Sequence, residues 1–390
     1  MSVGAPDRSL ADEAEPRGNM LGLTLLRLAV IVVLLLPPVR RLGDNARSAY
    51  IYLVALAFAV SIFAVPLVRA FAIWRGVLDS PAARKVHATA TPLLGGAAVY
   101  LAFAVTVLVN FGFSRQLKGV ALGATLVVIF GILDDLTDLP ARVKLGGQVV
   151  AAMVTIGWGV TLHVVPQTLP GAFALNVLLT LLWLLTVTNA LQFLDGMDGL
   201  AAGLGVVAGI FFSVAALQTK QGYLMYLSAA LVGACLGFLP YNFRPGGARI
   251  FLGDAGASFI GFTLAGLAVM GEWAENDPVV ALLTPTLILA VPLFDIAFVG
   301  VVRIVTGKVH TFHEWLAYTG KDHIHHRFAA LGLTKTQSVL LILFIAATLG
   351  ISAILLKDAT QYEAALVLIQ VACVLAIIAV LEGVGRGRGR

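Results

Sequence analysis

Residues 339–356 read VLLILFIAATLGISAILL, without a single charged side chain. Crossing the hydrocarbon of a bilayer takes roughly 20 apolar residues. Lipid satisfies no free backbone group, so such a segment must be a helix or a strand of a closed barrel. The run is continuous rather than alternating, which predicts a helix. Working outward, Leu93–Asn110, Gly119–Leu133 and Ala172–Val187 have the same character. Hydrophobic residues make up 59% of the chain and charged ones 12%, where a soluble domain carries about a quarter charged. A soluble globular class is therefore excluded.

Hydropathy predicts an all-α, polytopic transmembrane helix bundle. About twelve spans centre near residues 30, 60, 102, 125, 155, 181, 208, 231, 262, 290, 346 and 372. The number falls to eleven if residues 21–38, which include Arg27, lie in the interface. The short connections predict one transmembrane domain over 21–382, after a polar, disordered segment 1–20 and before a Gly/Arg-rich tail, 383–390. Met1–Asn19 lacks the short apolar run and cleavage site of a signal peptide. Cys235 and Cys373 both fall in predicted spans and read as small buried hydrophobes, not a disulfide. The net charge of +5 needs no nucleic acid, because basic residues gather in the cytoplasmic loops of membrane proteins. Basic residues favour the loops after even-numbered spans roughly two to one, which predicts that this side is cytoplasmic. Arg40, Arg41 and Arg47 are the dissenting group.

Polar motifs collect on that same side. The first is Gly131-Ile-Leu-Asp-Asp-Leu-Thr-Asp138. Asp134 and Asp135 read either as a solvated helix end or as a metal or phosphate site, since neighbouring carboxylates call for a cation. Lys144 and Gln148 follow at helical spacing, Lys144 reading equally as an interfacial anchor or a substrate contact. The second is Asn189-Ala-Leu-Gln-Phe-Leu-Asp-Gly-Met-Asp-Gly199. One Asp-Gly step is an ordinary turn. Two, with Asp195 and Asp198 beside the amides of Asn189 and Gln192, favour a ligand site approached closely by backbone. The third, Asn242–Gly256, places Asp254 before a small-residue helix start, whose free N–H groups suit phosphate. Its Phe251 reads as a base-stacking ring or an interfacial anchor. The fourth is Asp322-His-Ile-His-His-Arg327. His323, His325 and His326 suit a transition metal or, with Arg327, a phosphate, against the plainer reading of a solvated loop. Asp295 lies inside a predicted span, where a carboxylate is costly and marks either function or a structural hydrogen bond. A basic loop, Asp79–His87, which holds Lys85 and His87, reads either as ordinary positive-inside charge or as part of the site.

Together these motifs resemble the polyprenyl-phosphate N-acetylhexosamine-1-phosphate transferases. These bacterial initiators of lipid-linked glycan synthesis are related to the peptidoglycan lipid I translocase. The resemblance runs from about Asp79 to Leu333. It implies transfer of a sugar 1-phosphate, with GlcNAc-1-phosphate foremost, from a UDP-N-acetylhexosamine to undecaprenyl or another polyprenyl phosphate, with release of UMP. It also implies Mg²⁺ or Mn²⁺ at Asp254, Asp134 and Asp135, and catalytic roles for Asp134, Asp135 and Asp195. Asp195 and Asp198 match positions lining the uridine and pyrophosphate pocket, and Phe251 a base-stacking aromatic. Lys85, His87, Lys144, Asn189, Gln192, Asp295, His323, His325, His326 and Arg327 are carried over as substrate-binding candidates. The expected setting is a bacterial plasma membrane with the site facing the cytoplasm; a homodimer is left open. Gln192 stands where Asn is usual in that family, Ala257 where Ser is usual, and Ala90 and Arg244 where Pro is frequent. The competing reading is an ion-coupled transporter built on Asp295, which would place polar groups near the midplane. The Asp-Gly-x-x-Ala-Arg signature of CDP-alcohol phosphotransferases is absent, since Asp198 is followed by Gly-Leu-Ala-Ala.

Overall fold

The computed structural model describes residues 17–41, 45–79, 90–110, 114–274, 278–311, 314, 320 and 322–388. The helices are α1 (Arg17–Leu35), α2 (Pro37–Arg41), α3 (Ala46–Arg75), α4 (Gly95–Asn110), α5 (Arg115–Thr137), α6 (Ala141–Gly157), α7 (Ala172–Leu194), α8 (Leu200–Gln218), α9 (Gly222–Asn242) and α10 (Gly253–Met270). They continue with α11 (Pro278–Ile288), α12 (Ala290–Val305), α13 (Ile324–Ala330), α14 (Lys335–Leu356) and α15 (Gln361–Arg388). Among the described residues the only strands are the two-residue pair Leu78–Asp79 and Thr91–Pro92. Among the described residues eight helices are long and apolar enough to cross a membrane, or nine with α11 and α12 taken as one bent span. The predicted centres all fall on helices or on that bent pair. Those near 30 and 102 fall on shorter apolar helices, and that near 155 falls late in the 17-residue α6.

Composition decides which helix goes inside. α10 is made of small and apolar residues, and Ala255 through Ala268 are all buried. It packs on α5, α7, α4 and α8. α15 is the opposite case: little of its apolar length is buried, so most of its surface is left for lipid. Cys373, expected to be buried, is exposed on this outer helix, whereas Cys235 is buried on α9. Local signals set the helix ends. Asn45 caps α3 by accepting from Ser48 N–H at 2.9 Å, and Thr334 and Gln337 form a capping box on α14.

Three further expectations are corrected. The span near residue 290 is not continuous: α11 and α12 meet at 84°. Proline has no N–H, and in a helix its ring clashes with the carbonyl four residues back. For Pro292 that residue is Ile288, where α11 stops. Residues 383–388, expected to belong to a disordered tail, continue α15 instead. Similarly, α1 begins at Arg17, inside the segment expected to be disordered.

Candidate active site

The even-side carboxylates do meet. One cavity of about 820 Å³ is lined by Asp134, Asp135, Asp138, Asp195, Asp198 and Asp254, together with Lys144, Gln192, Phe251, His326 and Lys335.

Its floor is built where α5 ends against the start of α10. The first N–H groups of a helix lack intrahelical partners. No side chain of its own segment caps α10. Asp135 supplies the cap from α5, accepting from the N–H of Asp254 at 2.9 Å and of Ala255 at 3.4 Å. Gly253 makes the approach possible: it sits at φ +75°, and a Cβ there would meet the Asp135 carboxylate at 2.6 Å. Neighbouring Asp134 points elsewhere. Its Oδ1 accepts from Leu139 N–H at 2.8 Å, and its Oδ2 pairs with Lys144 Nζ at 2.5 Å. The same ammonium lies 3.0 Å from Asp254 Oδ2. Lys144 is therefore a partner of the site, not an interfacial anchor.

The wall comes from the α7–α8 turn. Burial pushes the Asp195 carboxyl well above the ordinary carboxylate value, and the charges of Asp254, Asp135 and Asp198 push it further. Asp198 Oδ2 accepts from Ala248 N–H at 3.2 Å. Asn242 Oδ1 accepts from Gly199 N–H at 2.6 Å, and its Nδ2 donates to Ile250 O at 3.0 Å. These bonds tie the turn to the loop before α10. Behind the cavity runs a chain of amides: Asn189 Nδ2 donates to Gln148 Oε1 at 2.7 Å, and Gln148 Nε2 donates to Gln192 Oε1 at 2.8 Å. Asn189 thus reaches the cavity only through Gln148 and Gln192. Phe251 is fixed by its backbone, whose N–H donates to Pro92 O at 2.8 Å.

The histidine segment divides into parts. His326 lines the cavity. His325 is buried, and neither of its ring nitrogens has a hydrogen-bond partner among the described residues. Its Nε2 occupies the space that a Cβ on Gly196 would need, so glycine in the first Asp-Gly step is a packing requirement. Burial lowers the His325 pKa well below its ordinary value, helped by His326 and His323. His323 and Asp295 are not in the cavity. Asp295, fully buried on α12, accepts from Ile324 N–H at 2.7 Å and pairs with His323 Nδ1 at 2.6 Å. Both carboxylate oxygens are engaged, which leaves the transporter reading without its ion site. Arg327 also lies apart, lining a separate void of about 30 Å³ with Asp322 and Glu382. Lys85 and His87 lie outside the described residues.

Sequence reasoning missed several contributors. Arg303 donates to Asp322 through Nε at 3.0 Å and Nη2 at 2.7 Å, both residues being buried. Burial raises the Asp322 pKa, yet the guanidinium outweighs it and holds the carboxyl below its ordinary value. Asn242 and Lys335 line the cavity, and Glu382 packs beside the histidine segment. The first lay unremarked inside a quoted motif. The other two read as ordinary charges at the ends of spans.

Comparison with known proteins identifies the family. The model of glycosyl transferase family 4 matches residues 117–272. The chain is 34% identical to the probable undecaprenyl-phosphate N-acetylglucosaminyl 1-phosphate transferase of Bacillus subtilis (strain 168), over 85% of this chain and 92% of the relative. It is 34% identical to the decaprenyl-phosphate N-acetylglucosaminephosphotransferase of Mycolicibacterium smegmatis, over 73% of this chain and 77% of the relative. It is 30% identical to the phospho-N-acetylmuramoyl-pentapeptide-transferase of Heliobacterium modesticaldum, over 75% and 91%. The chain belongs to glycosyl transferase family 4, the family of these polyprenyl-phosphate sugar-1-phosphate transferases and of the phospho-N-acetylmuramoyl-pentapeptide transferases.

Proposed function

We propose that the chain transfers N-acetylglucosamine 1-phosphate from UDP-N-acetylglucosamine to undecaprenyl or another polyprenyl phosphate. The reaction takes place on the cytoplasmic side of a bacterial plasma membrane. The observation that carries this reading is the meeting of Asp134, Asp135, Asp195, Asp198 and Asp254 with Lys144 in one cavity of a membrane bundle. The names of the Bacillus and Mycolicibacterium relatives support the sugar and the lipid class.

A phosphate oxygen of the lipid attacks the β-phosphorus of the donor. The bond from that phosphorus to the bridging oxygen breaks, and UMP leaves with the electron pair. Phosphoryl transfer depends chiefly on positioning and charge stabilisation. Both substrates are anions and the cavity is lined by carboxylates, so cations must mediate. Mg²⁺ is commonly held by one or two carboxylates plus substrate phosphates. Asp134 Oδ2 and Asp254 Oδ2 converge on a single cationic point, Lys144 Nζ. That donor set fits Mg²⁺ or Mn²⁺, with Asp254 and Asp134 as its holders. Held there by Asp254 and Asp134, such an ion would supply charge neutralisation to the donor's phosphates.

The chain's own residues do the rest. Asp135 holds the α10 N-terminus in place. Asp195 holds a proton or meets a cation. His326, which lines the cavity, offers a ring N–H to phosphate, its segment kept in place by the Asp295–His323 contact. Gln192, backed by Gln148 and Asn189, presents an amide toward the sugar, and Phe251 a ring toward the base. Lys85 and His87 are retained as substrate contacts from the basic loop.

The test is UMP release by purified protein from a panel of UDP-sugars. UMP is expected only with both UDP-N-acetylglucosamine and polyprenyl phosphate, lost with EDTA and restored by Mg²⁺. UMP release at the same rate without the lipid phosphate would defeat the transferase reading.

A further inference from the structure

We propose that Lys144 is a built-in surrogate cation. Its ammonium and an incoming divalent ion are alternative occupants of the space between Asp134 and Asp254. This rests on the metal assignment of the preceding section and goes beyond it, because it makes metal loading an exchange.

The geometry is direct. Lys144 Nζ lies 2.5 Å from Asp134 Oδ2 and 3.0 Å from Asp254 Oδ2. The Asp134 side chain is only 4% exposed, so that oxygen has little access to water. Its other oxygen is already bonded to Leu139 N–H, and Asp135 is turned to the amides of α10. A divalent ion sits about 2.1 Å from its carboxylate ligands. An ion between these two oxygens would therefore lie in the space that Nζ fills. Two cations do not share such a space, since their repulsion rises steeply at contact. The ammonium must leave when the ion arrives. Its flexible stem lets it do so, and the donor's phosphate then offers it a new anionic partner. One lysine thus keeps the acidic floor balanced without substrate and serves phosphate once metal is bound.

The exchange has a measurable consequence. Apparent affinity falls by the fraction of time the site is competent. If Lys144 holds the two carboxylates about nine-tenths of the time, metal binding is weakened about tenfold. Lys335 lines the same cavity and serves as the charge control.

The experiment is titration of the full chain in detergent with Mn²⁺ alone, read by electron paramagnetic resonance. Lys144→Met is expected to bind Mn²⁺ about tenfold more tightly than the wild type. Lys335→Met is expected to gain much less, and Asp254→Asn to lose binding. Equal gains in the two lysine variants would reduce the effect to general repulsion and overturn the proposal. No gain in Lys144→Met, with binding still lost in Asp254→Asn, would overturn the exchange and keep the ligand assignment. Unchanged binding in Asp254→Asn would remove both. A second measurement needs no variant: acylation of Lys144 in the wild type, followed by mass spectrometry, is expected to rise with Mn²⁺. Acylation that Mn²⁺ leaves unchanged would count against exchange.

Discussion

Asp295 and His323, 28 residues apart in the chain, are joined by a 2.6 Å contact between carboxylate and ring Nδ1, buried between α12 and the start of α13. With Nδ1–H donating to Asp295, Nε2 is left to accept from Arg303 Nη2 at 3.4 Å. Arg303 in turn grips Asp322 with two hydrogen bonds. The 84° bend before α12 makes this possible, because it carries the buried row Asp295, Val299 and Arg303 toward the histidine segment. The costly intramembrane carboxylate has a positioning role, holding the backbone from which His325 and His326 project.

Asp295→Ala therefore acts through the histidines. It leaves Ile324 N–H and the His323 ring without their buried partner, at a cost of roughly 2–4 kcal/mol. Transfer is expected to fall at least tenfold, with earlier thermal inactivation in detergent. Asp295→Asn retains an acceptor for one of the two donors and is expected to lie between. Wild-type rates in Asp295→Ala would mean that the histidine segment needs no such anchor.

Gly253→Ala tests the joint between α5 and α10. The residue adopts φ +75°, and its new Cβ would press on the Asp135 carboxylate. The left-handed backbone costs an L-residue roughly 1–2 kcal/mol, and the clash adds to it. Activity is expected to fall ten- to a hundredfold, with the midpoint of thermal unfolding lowered by a few degrees. Ala at the exposed, uncrowded Gly146 should change neither, which separates the joint from a general effect of methyl addition on helices.

The convergence of the acidic motifs was legible because each lies at the end of a long apolar run, so a polar side chain there has one face to occupy. Which oxygen meets which donor was not. Asp134 and Asp135 read alike as neighbours, but on a helix they point about 100° apart. One therefore reaches Lys144 and the other the amides of α10. The bend at Leu289 was hidden by hydropathy, since α11 and α12 together are as apolar as one span; Pro285 and Pro292 were the available signal. The Arg303–Asp322 pair was invisible because Asp322 lies in the polar stretch that follows Arg303, where charges usually face water. Glu382 was overlooked for a similar reason, beside a Gly/Arg-rich tail that reads as solvated.

His325 makes stability depend on pH with a definite sign. Burial holds its folded pKa well below the ordinary 6.5, so the ring stays neutral in the folded protein. The unfolded chain takes up a proton near 6.5, and stability rises with pH wherever the unfolded state binds more protons. The contribution of His325 is thus fully present above about pH 6.5 and is lost progressively as pH falls toward its depressed folded pKa. The midpoint of thermal unfolding should drop between pH 6.5 and 5, and less steeply in His325→Phe. Identical slopes for the two proteins would show that His325 does not carry the dependence.

The last prediction concerns sidedness. Glu382 and Gly383 line the same small void as Arg327, and α15 packs on α13. The end of α15 is therefore on the side of the histidine segment, at the same end of the bundle as the acidic cavity. Basic residues are concentrated there too: Arg142, Lys144, Arg244, Arg249, Lys308 and Lys335. Positive loops stay in the cytoplasm, and a nucleotide-sugar donor is supplied from that compartment. A reporter fused after Arg390 is accordingly expected to be active only if it is a cytoplasmic type, and one inserted in the acidic connection around Glu272 only if it is an exported type. Because both fusions report on one bundle, their signals must be opposite. Export of the Arg390 fusion with retention of the other would turn the protein over and place the carboxylates where no UDP-sugar reaches them.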